Sequence, residues 1–144
     1  MDDKFFFDWY QKLLVDMLNE GDDLDYLFSR LPEFRDYNKQ ARQHCLDFAY
    51  RTVKCGLCDF FWEGHDNFEI LKEIAENNPC EIEGYAIWKT YILDVGDEGE
   101  AFLLECGVNK DTKEFSPLLK EKLSALFDEH GVGFDKSCFI PVID

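Results

Sequence analysis

Residues 34–55 run without a glycine or proline, and their apolar members recur at helical spacing: Tyr37, Ala41, Cys45, Phe48 and Thr52 share one face. Gly56 follows, where a left-handed stop residue belongs. A helix this long and this one-sided has to be covered along its apolar stripe, so the pattern predicts a central helix with the remaining elements packed around it. A chain of 144 residues with 46% apolar side chains has the material for one such core, and one domain spanning residues 1–144 is expected.

The flanking segments read as partners of that helix. Residues 3–20 carry Phe6, Trp9, Tyr10, Leu13 and Met17 on a broad stripe, with Asp2 or Asp3 as cap and Gly21 as stop. Asp22 and Asp23 can cap a shorter helix over residues 24–31, ended by Pro32. Asp66-Asn67-Phe68-Glu69 has capping-box spacing and opens a fourth helix. Ser116-Pro117 opens a fifth, in which Leu119, Leu123, Leu126 and Phe127 recur until His130-Gly131. Residues 85–93 are aromatic and β-branched, which favours a strand over the alternative of a buried helix. Residues 100–106, ending at Gly107, fit either a returning strand or a short helix. The tail, with Pro141 limiting its pairing, fits a short edge strand or an extended arm. The expected class is therefore α+β, predominantly helical, with about five helices and a few short strands.

Charge narrows the function. With 15 bases against 31 acids the formal charge is −16, which argues against nucleic acid as a direct ligand and for a cationic partner; the plainer reading is that the charge keeps the protein dissolved. Residues 33–54 nevertheless hold five bases and three acids, and are expected to act as an internal counter-charge. Residues 94–105 hold five acids and no base. The sequence shows no basic leader and no apolar run of membrane-spanning length, so a cytoplasmic location with six reduced cysteines is expected.

Catalytic patterns are sparse. Cys55 and Cys58 form a Cys-x-x-Cys pair, but it follows a helix instead of preceding one, so the helix dipole opposes the thiolate. As half a zinc site the pair has His44, Cys45 and His65 as possible company but no second pair, and packing is the favoured role. The acids of residues 94–100 do not fall at calcium-loop positions. No nucleophile elbow, phosphate loop or metal-protease motif occurs, so no catalytic residue, metal or cofactor is expected.

In size, charge and layout of helices, with the short stretch Gly-Leu-Cys-Asp-Phe-Phe-Trp after the central helix, the chain resembles the small acidic immunity proteins of bacterial toxin systems of the contact-dependent growth inhibition type. That resemblance implies a cytoplasmic, non-enzymatic protein that binds one cognate toxin domain one-to-one and masks its active site or a surface it needs. Many such toxins are nucleases with basic clefts. Charge density then selects Asp22, Asp23, Asp25, Asp94, Asp97, Glu98 and Glu100 as rim residues, with Trp62 or Trp88 as apolar anchor. For both tryptophans, core packing is the favoured plain reading. The runner-up is an acidic adaptor or DNA mimic that competes for a basic DNA-binding protein, and an enzyme with a zinc or thiol centre stands third.

Overall fold

The computed structural model describes residues 1–144 and shows seven helices with one small sheet. The first helix, α1, covers residues 3–19 and is α-helical at Asp3–Phe6, π-helical at Phe7–Gln11 and α-helical again at Lys12–Asn19. Asp2 caps it by accepting from the Phe5 amide at 2.7 Å. The widened turn also brings Gln11 to the buried side, beside Trp9 and Tyr10. Gly21 is not a left-handed stop. A β-carbon there would collide with Asp94 and the Leu93 carbonyl, so glycine permits close approach of two strands.

Next come β1 (Asp22–Asp23), α2 (Leu24–Phe28), a 3₁₀ turn at Pro32–Phe34, and the central helix α3 (Lys39–Lys54). The central helix starts later than its pattern suggests. Pro32 imposes the 3₁₀ turn, Tyr37 takes φ +50°, and Asn38 supplies the cap by accepting from the Ala41 amide. It ends as its sequence says, with Gly56 at φ +76°. Then follow β2 (Cys58–Asp59), α4 (Asn67–Ala75), α5 (Ile82–Trp88), β3 (Ile92–Val95), α6 (Asp97–Glu105) and α7 (Pro117–Glu129).

The strand expected over residues 85–93 is corrected to helix α5 followed by a turn into β3. Burial decides it. Trp88 is sealed inside and donates its indole N–H to the Asn77 carbonyl at 2.8 Å, while Gly84 lets the helix pack directly on the Asn78 backbone. The ambiguous residues 100–106 belong to helix α6, which Gly107 ends at φ +76°. The sheet has order β1-β3-β2 with both pairings antiparallel, so β3 is its centre. Thirty-five buried apolar residues form one cluster around α3.

Of the bases of residues 33–54, expected to act as an internal counter-charge, only Lys39 pairs with an acid, Asp144, while Arg42 and Arg51 are spent on backbone carbonyls. Arg51 is buried and donates to the carbonyls of Val132 (2.9 Å), Gly133 (3.2 Å) and Lys136, and to the Tyr10 hydroxyl (2.7 Å). Its guanidinium also lies about 5 Å from the rings of Phe134 and Phe139. Arg42 donates to the Tyr37 and Ile143 carbonyls, and the Asp47 carboxylate accepts from the amides of Cys138 and Phe139. Gln43 binds the Ile140 carbonyl and the Val142 amide. The tail is thus an extended arm laid along α3, whose backbone groups find partners in side chains and, at Ile143, in the Ala75 carbonyl instead of a neighbouring strand.

Candidate functional site

Trp88 is fully enclosed, which removes it as a surface anchor. Asp25 is buried at 5% exposure, and its carboxylate accepts from the Tyr37 hydroxyl and the Lys89 ammonium, so it is a structural acid and not a rim residue. Asp23 is also buried and caps α2 through the Tyr26 amide at 2.8 Å. Burial pushes the Asp23 carboxyl above its usual range, opposed by the Tyr26 amide and by Lys89. Asp22 is half-buried and accepts from the Asp23 amide. The first acidic cluster is therefore largely spent on building α2 and its link to Lys89.

The second cluster stays free. Asp97, Glu98 and Glu100 are exposed in the first turn of α6, and none forms an ion pair. The plain role of these acids is helical: Gly96 gives the helix no side-chain cap, and carboxylates in the first turn complement its dipole. Asp94 is half-buried, accepts from the Val95 amide at 2.7 Å and crowds against Gly21. It sits directly opposite Asp59 across the β2–β3 pair. Two like charges in that arrangement oppose the pairing.

Beside this acidic turn lies a pair of exposed aromatics. Phe61 is 63% exposed and Trp62 43%. Phe61 takes φ +50°, a left-handed conformation in which its β-carbon crowds the backbone. The Asp59 carboxylate holds it there by accepting from the Phe61 amide at 2.9 Å. Position 96 has no side chain, and a β-carbon there would lie 3.9 Å from the tip of the Phe61 ring. Trp62 leans edge-on against Tyr91 with centroids 5.2 Å apart. Tyr91 in turn is fixed by donating to Glu73 at 2.7 Å, a bond that raises its own pKa.

The loop bearing these rings is tied down on both sides. The Gly96 amide donates to the Leu57 carbonyl at 2.9 Å, and the Phe60 amide donates to the Asn67 side chain at 3.3 Å. Gly99 packs on the Leu57 carbonyl so closely that any β-carbon would overlap it. The corner formed by residues 59–62 and 94–100 is thus a fixed surface of aromatic rings and carboxylates. Trp62 and residues 94–100 were separate candidates in the sequence, and folding brings them together. Phe61 and Asp59 were missed. Their only signal is an Asp two residues before an aromatic, which reads as an ordinary turn.

The Cys-x-x-Cys pair shows no thiolate character. Burial raises the Cys55 thiol to about 11 and the Cys58 thiol to about 12, so both are protonated near neutral pH. No three His, Cys, Asp or Glu side chains converge where they could hold a metal ion. No helix is long and apolar enough to cross a membrane. Comparison with protein-family models, with curated proteins and with solved structures finds no match.

Proposed function

We propose that the protein is an immunity-type inhibitor that binds a basic protein toxin domain, one-to-one, through the corner of residues 59–62 and 94–100. One observation carries the reading: an aromatic ring held in a strained backbone conformation points into solvent beside three unpaired carboxylates. Strain of this kind costs about 1–3 kcal/mol and is characteristic of sites kept for contact. Exposed rings ringed by charge match the anatomy of a binding hot spot, in which the aromatics seat in a pocket and the charges steer the approach. A cytoplasmic location accords with this role.

The toxin class favoured by the charge is a nuclease, because its active-site cleft carries the bases that bind phosphate, and carboxylates fit the same positions. Phe61 and Trp62 at the middle of the corner favour this over mimicry of duplex DNA. A mimic needs rows of carboxylates uninterrupted by large apolar side chains.

The test uses the basic toxin domain that this reading requires, sought first in the reading frame next to this protein's gene. Association is followed by stopped flow across ionic strength for the wild type and for the D97K/E98K/E100K variant. The reading predicts that the reversal slows association and flattens its salt dependence while the circular dichroism spectrum is unchanged. Association and salt dependence equal to wild type would remove the acidic turn from the interface.

A further inference from the structure

A second site lies in a cleft that shares no residue with the aromatic corner. It encloses about 430 Å³ between α1, α2 and the loop of residues 110–113, a volume within the usual range for small-molecule pockets. Phe7, Leu27 and Leu31 give it apolar wall, and Lys12, Arg30, Lys110 and Lys113 give it charge. Four of the protein's 15 bases thus converge on one cleft in a molecule of net charge −16.

The acids of the cleft are largely neutralised already. Asp8 is bound by Lys4 at 2.5 Å and by Lys12 at 3.5 Å, and Asp16 is bound by Arg30 at 2.9 Å. Lys110 and Lys113 have no carboxylate partner, so with Asp111 as the one remaining acid the uncompensated charge is positive. At physiological salt the Debye length is about 8 Å, so these local groups outweigh the distant acids for anything lodged inside.

The cleft is also preformed. Gln11, buried by the π-helical turn, donates to the Glu114 carbonyl at 2.6 Å and accepts from the Ser116 amide at 2.9 Å. Asn19, two turns further along α1, donates to the Lys110 carbonyl at 2.9 Å. The loop between these anchors is knitted internally, with the Asn109 side chain accepting from the Asp111 amide and the Asn109 amide donating to the Thr112 hydroxyl. Its two lysines therefore project from a fixed backbone, and little ordering is left to be done on binding. The Lys12 ammonium sits 4.8 Å from the centre of the Phe7 ring, placing a cation and an aromatic face on the same wall.

We propose that this cleft binds a small organic anion, a phosphate monoester or carboxylate on a flat apolar body, with the anion between Lys110 and Lys113 and the body against Phe7, Leu27 and Leu31. The test is amide chemical-shift mapping of the full-length protein with phenyl phosphate and benzoate, which distinguish the two anions, and with inorganic phosphate and phenol, which each supply half of the ligand. The expected result is saturable shifts at Leu13, Asn19 and residues 110–113 with phenyl phosphate or benzoate. Inorganic phosphate and phenol should bind at least about tenfold more weakly, and K110E/K113E should lose at least about tenfold in affinity. Both lysine side chains are exposed and unpaired, so the variant retains its fold. Absence of saturable shifts in the cleft, equal binding of the half-ligands, or undiminished binding by K110E/K113E would each overturn the proposal.

Discussion

The seam between α3 and the tail, and the corner where β2 and β3 meet α6, use polar residues in opposite ways. Along the seam, buried charged side chains and one half-buried amide are spent on backbone groups: Arg51, Arg42, Asp47 and Gln43 satisfy carbonyls and amides of residues 132–143. No buried side-chain polar atom of the molecule is left without a partner. At the corner, carboxylates face each other across a strand pair or stand free, and an aromatic ring is exposed in a left-handed conformation. The seam stabilises the fold, whereas the corner keeps two features that work against it, the facing Asp59 and Asp94 carboxylates and the left-handed Phe61, beside first-turn acids that favour α6. A region that works against stability inside an otherwise well-satisfied fold is where selection for contact is to be sought.

That contrast is most easily broken at Arg51. Arg51→Met keeps much of the side-chain length but leaves buried carbonyls and the Tyr10 hydroxyl without a donor. Urea unfolding should show a loss of about 3 kcal/mol or more. A loss under about 1 kcal/mol would mean that water or rearrangement replaces the guanidinium, and that the seam is less essential than its bonding suggests.

The corner predicts the opposite sign. Phe61→Gly relieves strain of about 1–3 kcal/mol against about 0.5–1 kcal/mol of added chain entropy, so stability should be unchanged or higher by up to about 2.5 kcal/mol. Affinity for the proposed toxin partner should fall by about 2 kcal/mol in the same variant. A variant that lost stability and kept its affinity would invert the comparison. Asp94→Asn sharpens it on a smaller scale. Removing one of two facing carboxylates should stabilise the protein by a few tenths of a kcal/mol in thermal or urea unfolding, since Asn still accepts from the Val95 amide.

The smallest effect concerns pH. His44, on the face of α3 that meets α1, packs against Phe5 and Trp9 with centroids 5.2 and 5.4 Å away. Burial lowers its pKa from the ordinary 6.5, with Asp47 opposing the shift. The unfolded chain therefore takes up the proton first. The His44 contribution is fully present above about pH 7 and declines as pH falls through the unfolded value towards the folded one. His44→Gln should flatten the rise of melting temperature between about pH 5 and 7 relative to wild type.

Much of this fold was legible in the sequence because its helices announce their ends. Asp2, Asp66 and Ser116 cap where their spacing says, and Gly56 and Gly107 take the left-handed conformation that stops a helix. What was not legible depended on tertiary contact. Residues 85–88 have strand-like composition, yet burial of Trp88 and the approach of Gly84 to Asn78 make them helical. The same limit applies to the acids. Asp23 and Asp25 look like surface charge in a run of aspartates and are buried by partners distant in sequence, Lys89 and Tyr37. Phe61 gave no sign beyond the Asp two residues before it, because its exposure follows from a backbone angle that composition does not encode.

The central claim is that the aromatic corner contacts a basic protein. It is tested most directly by placing p-benzoylphenylalanine at position 61 and irradiating cells that produce the protein together with the proposed toxin partner. The account predicts one dominant adduct, with a single basic protein, which disappears when Asp97, Glu98 and Glu100 are reversed to lysine and does not form from the exposed position Leu118 on α7. An adduct with an acidic protein, or equal labelling from position 118, would contradict it.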